Sequence, residues 1–250
     1  MNTLCPPELA ESWDNCGYQI RIGSGEIRRV LVALEVTGEV IDEAVRTEAD
    51  LILTHHPLIF GGITSVDDNN ITERMIIRLI KSDISVFSCH TSFDKVPGGN
   101  NDYLGKILGF EDVRPVDEDG FLRKGILPAA VKFAGFKEHA AEVLGVDKSF
   151  FSAVGDPESV ILTAAWCTGS GAEYMRAAVD QGCDLFITGD LKYHDAQNAK
   201  AMGLCVLDAG HFGTENIFTP NMAELLSKEL KRKGIRCDII QSTIDINPFV

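Results

Sequence analysis

The chain has 250 residues, 45% of them hydrophobic and 24% charged, which are ordinary proportions for a globular protein. A formal net charge of −14 argues against a general nucleic-acid-binding protein, because phosphate contacts need a basic face. No apolar run approaches the ~18 residues of a membrane span, no secretory signal is evident and the seven cysteines form no CxxC pair, so we expect a cytoplasmic protein without membrane contact.

Strand-like and helix-like patterns alternate through the first half of the chain. Short runs rich in Val, Ile and Leu predict strands, and apolar residues at helical spacing predict the helices between them. In chain order we predict a strand at 28–36, a helix at 39–48, a strand at 49–54, a helix at 71–82, a strand at 84–88 and a helix at 101–109. This alternation is typical of βαβ units in an α/β sandwich.

The second half repeats the alternation after a weaker joining segment, residues 116–145, in which we expect an edge strand and a crossover helix at 136–144. Beyond that segment we predict strands at 159–166, 184–188 and 204–209 and helices at 172–181, 193–202 and 221–233. The order of strands and helices is therefore the same in both halves.

The two halves also align with each other. Residues 30–38 match 160–169, residues 44–54 match 178–188 without a gap, and residues 86–94 match 206–215. An internal duplication follows from these matches. We expect an α/β fold, a duplicated three-layer α/β sandwich whose similar half-domains, residues 1–120 and 121–250, share one cleft. The carboxyl ends of parallel strands bind ligands in open α/β sheets, so polar residues at those ends are the candidate site.

Two histidines directly follow the predicted strand 49–54. His55 and His56 precede Pro57, which prevents the strand from continuing. Successive side chains of a strand point to opposite faces, so the two imidazoles can converge on one cleft only where the chain leaves the strand. Imidazole is the commonest metal ligand, and the pair is therefore a candidate metal site; two structural histidines are the alternative.

Two further pairs follow strands at a spacing of four residues. His90 and Asp94 lie in CHTSFD, and His211 and Glu215 lie in DAGHFGTE. Residues four apart share one face of a helical turn, so each pair can point into one site. Local capping of these turns by Thr and Asp side chains is the alternative explanation.

The charge and type of these side chains favour two divalent ions. Three imidazole nitrogens and two carboxylates are available, from His55, His56, Asp94, His211 and Glu215. Mixed nitrogen and carboxylate ligands suit Zn, Mn, Fe or Ni better than an all-oxygen calcium site. Two such ions ~3.5–4 Å apart generate hydroxide near neutral pH, which is the chemistry of a hydrolase.

The order of motifs along nearly the whole chain resembles one known family. The motifs are WDNCGYQIRIG (13–23), LTHHPLIF (53–60), HTSFDKVPGGNNDYL (90–104), GSGAEY (169–174), ITGDLKYHDA (187–196), DAGHFGTE (208–215) and NPF (247–249). The chain is similar to the GTP cyclohydrolase I type 2 homologues, also called NGG-one-interacting factor three-like proteins. The combination of HHP, HTxxD and GHxxTE is highly specific for that family.

The resemblance implies a dinuclear metal site and a toroidal homohexamer built as a trimer of dimers. It implies His55 and His56 of HHP, Asp94 of HTxxD, and His211 and Glu215 of GHxxTE as ligands, with Asp94 bridging the two ions. The chain departs from the family in the short segment before the WDN motif and in GYQ where GLQ is usual. Neither departure changes a proposed ligand.

Two histidines outside the ligand set are candidates for catalysis. His90 matches a position that is not a ligand in the family, and we expect it to support the ligands or contact the substrate; a hydrogen-bonded core histidine is the alternative. His194 lies in TGDLKYH near the start of a predicted helix, where it could transfer a proton or bind phosphate, or be simply exposed.

Two other motifs have weaker functional interpretations. Residues of the WDN segment could form a wall of the cleft, with Trp13 either packed in the protein or stacked on a base. They are Trp13, Asp14, Asn15 and Gln19. The GSG segment at 169–171 precedes a predicted helix and could bind an anion through its backbone N–H groups.

The first functional hypothesis is a dinuclear metal-dependent hydrolase, in which metal-bound hydroxide attacks a nucleotide or a related phosphorylated small molecule. The resemblance implies hydrolytic opening of the guanine imidazole ring with loss of formate, and His90 or His194 would move the proton. The sequence has neither a GxxxxGK[ST] loop nor an NKxD signature, so guanine specificity rests on the resemblance alone.

Two competing hypotheses keep the metal site. One is a non-catalytic metal-binding scaffold or regulatory platform for protein interactions; five protein ligands leave open positions on two ions, which favours the enzyme instead. The other is a phosphoesterase or nuclease, for which the acidic chain makes small substrates a better fit than long polynucleotides.

Overall fold

The computed structural model of the protein describes residues 1–23, 25–116 and 118–249. The strands are β1 (Gly17–Ile20), β2 (Arg29–Ala33), β3 (Leu51–Thr54), β4 (Ser85–Ser88), β5 (Glu111–Pro115), β6 (Arg123–Lys132), β7 (Ser152–Val154), β8 (Val160–Ser170), β9 (Leu185–Gly189), β10 (Cys205–Asp208) and β11 (Asp238–Gln241). The helices are α1 (Gly38–Arg46), α2 (Ile71–Lys81), α3 (Thr91–Lys95), α4 (Asn100–Ile107), α5 (Phe133–Leu144), α6 (Met175–Asp180), α7 (Tyr193–Met202), α8 (His211–Glu215) and α9 (Phe218–Arg232).

The chain forms two compact units. The first unit consists of Met1–Val96 with Phe218–Val250, and the second of Pro97–Ile217. The boundaries of these units differ from those of the predicted halves, 1–120 and 121–250. The reason is that the C-terminal segment adds α9 and β11 to the first unit. The predicted halves were defined by their repeated motifs, and their division at residue 120 stays a prediction.

The first unit is a five-stranded sheet with helices on both faces. Its strand order is β1-β4-β3-β2-β11, with β2, β3, β4 and β11 parallel and β1 antiparallel at the edge. On one face Leu31 and Ile52 belong to the same buried core as Ile41 of α1 and Leu79 of α2. Alternate strand residues such as Val32 face the opposite side. There α9 contacts β2, so this unit has three layers.

The second unit is a six-stranded sheet with the same layering. Its order is β5-β6-β8-β9-β10-β7, in which β8, β9 and β10 are parallel. Trp166 and Ile187 pack with α4 and α5 on one face, and their strand neighbours Ala165 and Phe186 pack with α6 and α7 on the other. This period of two is that of a strand buried on both sides. The predicted α/β class, with sheets in three-layer sandwiches, is confirmed.

Matching details in the two sheets support the predicted duplication. Each has three consecutive parallel strands and an antiparallel edge strand beside the third, β1 in one unit and β7 in the other. The carboxylate of Asp50 accepts hydrogen bonds from two successive N–H groups at the start of β2, at 2.7 and 2.9 Å. Its repeat partner Asp184 does the same at β8, at 3.0 and 2.8 Å.

The differences from the predicted elements are local. The edge strand expected within 116–145 is β6, and it lies between β5 and β8. The strand predicted at 159–166 continues to Ser170, and the one predicted at 28–36 ends at Ala33. None of the described helices is both long enough and apolar enough to cross a bilayer. The cytoplasmic location stays a prediction.

Candidate metal centre

The predicted histidine pair lies where β3 ends. The backbone N–H groups of His55 and His56 both donate to the carbonyl oxygen of Leu34, each at 3.0 Å, so the chain has left the regular strand geometry. The two rings are therefore not forced to opposite faces, and their centroids lie 5.1 Å apart. The side chains converge in the way that two adjacent metal ligands require.

His55 is buried, and its Nδ1 makes a short polar contact. Its Nδ1 lies 2.8 Å from the carbonyl oxygen of Cys89, which can only accept, so Nδ1 carries the proton. Its Nε2 then keeps a lone pair and lies 3.5 Å from Oδ1 of Asp94, a buried residue of α3. His56, which is half-buried, has Nδ1 3.7 Å from Oε2 of Glu35, a contact that the sequence analysis missed.

His90 belongs to the same cluster. A ring nitrogen of His90 lies within 4.8 Å of a ring nitrogen of both His55 and His56, a spacing that could hold one ion. His90 therefore lies beside two of the proposed ligands, with a side chain that is 18% exposed, and its role in supporting them or contacting a substrate stays a prediction. Its Nδ1 lies 2.9 Å from Oδ1 of Asp14.

In the second unit His211 lies between two carboxylates. Its Nδ1 is 2.6 Å from Oδ2 of Asp190, and its Nε2 is 2.9 Å from Oε2 of Glu215. The hydrogen bond to Glu215 raises the pKa of His211 to about 9, against burial, which lowers it; Asp190 adds to the rise. The repeat alignment pairs Asp190 with His56 and marks it as a polar residue at a strand end, but its contact with His211 was not predicted.

Glycine 169 makes room for Glu215. Gly169 has φ +63°, and a Cβ placed there would lie 2.2 Å from Oε1 of Glu215. The N–H of Gly169 donates to the hydroxyl of Thr214 at 3.0 Å, and that of Gly171 donates to Thr188 at 3.0 Å. These two N–H groups of the GSG segment are therefore already used within the protein, which argues against the anion-binding interpretation.

The donors present fit a divalent ion. In each unit an imidazole Nε2 faces a buried carboxylate, His55 with Asp94 and His211 with Glu215, while Nδ1 is held by an oxygen acceptor. Metal-binding histidines usually have Nδ1 or Nε2 oriented in this way by a second group.

Two other predicted residues lie in more open surroundings. His194 is exposed in the first turn of α7, where its ring contacts Tyr193 at 5.4 Å between centroids. Trp13 is 59% exposed, which contradicts the interpretation of a packed side chain. Its ring lies 6.0 Å from that of Phe60, itself 62% exposed, and 6.1 Å from that of His90. Asn15 and Gln19 hydrogen-bond to each other at 3.1 Å.

Known proteins and solved structures are similar to this chain over nearly its whole length. The family model for Duf34/NIF3, NGG1p interacting factor 3, matches residues 1–248. A Clostridium perfringens protein named GTP cyclohydrolase 1 type 2 homolog is 37% identical over 98% of this chain and 94% of its own length. A Helicobacter pylori protein named GTP cyclohydrolase 1 type 2 is 35% identical over 90% of this chain and 88% of its own. The crystal structure of a hypothetical protein from Staphylococcus aureus is 29% identical with a TM-score of 0.94, covering 100% of this chain and 95% of that one.

Proposed function

Because the chain belongs to the Duf34/NIF3 family, we propose that it is a metal-dependent hydrolase that binds two divalent ions. The proposed ligands are His55, His56, Asp94, His211 and Glu215, with Asp94 bridging the ions. Zn, Fe, Mn and Ni suit this mixture of imidazole and carboxylate donors.

One observation carries the proposal: each unit pairs an imidazole Nε2 with a buried carboxylate at the carboxyl end of its parallel strands. The distances are 3.5 Å for His55 and Asp94 and 2.9 Å for His211 and Glu215. Buried carboxylates beside histidines are costly to maintain unless they are paired or bind a cation. The carboxyl ends of parallel strands are also where α/β sheets bind their ligands.

Divalent ions at such a site polarise a substrate and lower the pKa of water to about 7, which supplies a nucleophile for hydrolysis. The names of the relatives support a guanine nucleotide, or a related phosphorylated small molecule, as the substrate. His90 and His194 are the candidates for moving the proton of the attacking water. His90 is the stronger of the two, since it lies beside His55 and His56 and is oriented by Asp14.

Metal analysis followed by a substrate panel tests the proposal. The purified chain, reloaded separately with Zn, Fe, Mn or Ni, should contain close to two ions and hydrolyse a member of a panel of nucleotides and phosphate esters. A chelator should abolish that activity. Replacing Glu215 with Gln should lower metal content and turnover together. Replacing the histidine that moves the proton, His90 or His194, with Gln should lower turnover and leave the metal content unchanged.

The alternative is a metal-binding scaffold or regulatory platform without catalysis. It is the better description if the metal-loaded chain turns over neither nucleotides nor phosphate esters, while Glu215→Gln breaks its self-assembly or a protein partnership. The same panel therefore decides between the two functions.

A further inference from the structure

A buried carboxylate contacts the proposed proton-transfer residue. The side chain of Asp14 is fully buried, and its Oδ1 lies 2.9 Å from Nδ1 of His90. An ionised carboxylate can only accept, so Nδ1 of His90 carries the hydrogen and Nε2 keeps its lone pair. From the sequence, Asp14 was expected only to form part of a cleft wall.

The other contacts of Asp14 also come from donors. Oδ1 accepts from the N–H of Asn15 at 2.7 Å. Oδ2 accepts from the N–H and the hydroxyl of Thr91, at 3.1 and 2.6 Å, and from the thiol of Cys16 at 3.0 Å. The Thr91 hydroxyl oxygen itself accepts from the N–H of Glu11 at 3.0 Å, which directs its own proton toward Asp14. These contacts all require an acceptor at residue 14.

The electrostatics agree with an ionised Asp14. Burial alone would raise the pKa of this carboxyl, but the hydrogen bonds from His90, Cys16 and Thr91 outweigh burial and hold the pKa well below its usual range. Asp14 therefore stays an acceptor at any pH at which the protein works.

The ring that Asp14 holds faces the histidine pair. Its centroid lies 5.2 Å from that of His55 and 5.6 Å from that of His56, edge to face in both cases. The repeat partner of His90 has the same arrangement, since Nδ1 of His211 is held by Asp190 at 2.6 Å. Each unit thus uses an aspartate to orient the histidine that follows its third parallel strand.

We propose that Asp14 is a positioning residue that fixes His90 as the Nδ1-protonated tautomer. Nε2 of His90 is then the base that accepts a proton from the attacking water and returns it to the leaving group, so no proton is gained or lost over the cycle. This catalytic consequence rests on the proposed hydrolase function, whereas the assignment of the tautomer does not.

The variant Asp14→Asn should reverse the tautomer. It keeps the shape of the side chain but replaces one acceptor oxygen with an NH₂ group. Three donor contacts converge on Oδ2, so the amide oxygen should take that position and the NH₂ group should face His90. The amide then donates to Nδ1, and the imidazole proton moves to Nε2, where it removes the lone pair.

The test is ¹⁵N NMR of the zinc-loaded, full-length chain labelled at its six histidines, with His90→Gln assigning the signals of His90. We expect Nδ1–H in the wild type and Nε2–H in Asp14→Asn. The matched control is Thr91→Val, which removes one donor to Asp14 but leaves the carboxylate on His90, and it should keep the wild-type tautomer. Zinc content should be unchanged in both variants.

Turnover gives a second readout. Asp14→Asn and His90→Gln should each lower it by ~100- to 10,000-fold, and the double variant should be no slower than either. A wild-type His90 protonated at Nε2, an unchanged tautomer in Asp14→Asn, or additive losses in the double variant would overturn the proposal. A wild type without turnover instead contradicts the proposed function, and the tautomer spectra then decide the role of Asp14. The wild-type spectrum stays decisive if Asp14→Asn fails to fold.

Discussion

At the scale of single residues, the position of His211 between two carboxylates determines how its metal affinity depends on pH. Its pKa of about 9 means that the metal-free protein holds a proton on this ring at neutral pH. A metal ion must displace that proton. The affinity of this ligand should therefore fall by up to about tenfold for each pH unit below 9 and level off above it. Calorimetric zinc titrations in buffers of different ionisation enthalpy measure the protons released on binding, and near pH 7 they should show release of about one proton from His211. If the number of protons released does not decline above pH 9, the expected pKa of His211 is wrong.

The raised pKa of His211 also affects the stability of the metal-free chain. The pKa of His211 is raised above the unfolded value of ~6.5, so its ion pairs with Glu215 and Asp190 stabilise the fold fully below about pH 6.5. That contribution is lost as the pH rises through about 9. Urea denaturation of chelator-treated protein should show this loss, and Asp190→Asn should reduce it.

Asp94 is the residue on which the dinuclear proposal depends most. It is buried, 3.5 Å from Nε2 of His55, and is proposed to bridge the ions. Asp94→Asn should therefore lose most of both ions, as measured by elemental analysis. Asp42→Asn is a matched control, since Asp42 is an exposed partner of Arg78 and should leave the metal content unchanged. An Asp94→Asn chain that keeps two ions with unchanged affinity would rule out the bridge.

The candidate ligands could be identified from local motifs in the sequence, whereas their tertiary partners could not. His55, His56, His211 and Glu215 were predicted because each follows a strand within a few residues. Asp14 lies 76 residues before His90, and no local periodicity links the two. Glu35 and Asp190 were likewise missed, since each becomes a partner only when neighbouring parallel strands bring their ends together.

At the scale of elements, the end of β8 is shaped to leave space for a side chain of α8. Gly169→Ala should force Glu215 aside, because the new Cβ would lie 2.2 Å from its Oε1 and the carboxylate is buried. We expect metal affinity to fall by about 10- to 100-fold, the usual effect of disturbing the support of a ligand. Gly182→Ala is the matched control. It has a similar φ of +69°, yet its Cβ would meet no described atom within 4 Å, so it should keep its metal affinity.

Replacing either of two helical glycines with alanine should change the stability of the protein, but in opposite directions. In α4, a Cβ at Gly105 would lie 2.1 Å from Cζ2 of the fully buried Trp166, and such overpacking destabilises by about 1–3 kcal/mol. In α5, Gly135 is exposed and a Cβ there would meet no described atom within 4 Å. Gly135→Ala should stabilise the protein by up to about 1 kcal/mol, because alanine loses less backbone entropy in a helix. Urea denaturation of both variants checks the two signs.

The sequence predicted the central parallel strands better than the edges of the sheets. Runs such as LILT in β3 and LFIT in β9 are apolar on both faces, which is the pattern of a strand covered by helices. The missed strands β1, β5, β7 and β11 have only three to five residues each, and most of their side chains are not buried. Such short, half-exposed segments become strands through their partner strand, not through their own composition.

At the scale of the whole molecule, the family resemblance leads us to propose a homohexamer, a trimer of dimers. Light scattering during size-exclusion chromatography should then give six times the mass of one chain. The measurement should be repeated after chelation, because the scaffold alternative expects assembly to depend on the metal. A chain that stays monomeric at all concentrations, with or without metal, would contradict the proposal.

Proteins are synthesised from the amino end, and this order matters for a unit whose last strand is β11. Until the ribosome has added residues 238–241, β2 has no partner on one side. The buried carboxylate of Glu43 in α1 also lacks the donors that Ser242 and Thr243 provide at 2.5 and 2.7 Å. The second unit is one uninterrupted segment and can fold during translation. A nascent chain stalled when Ile217 has left the ribosomal exit tunnel but residues 238–241 have not should therefore carry a protease-resistant second unit beside an unfinished first unit in the sequence, whose open β2 edge makes it a substrate for chaperones.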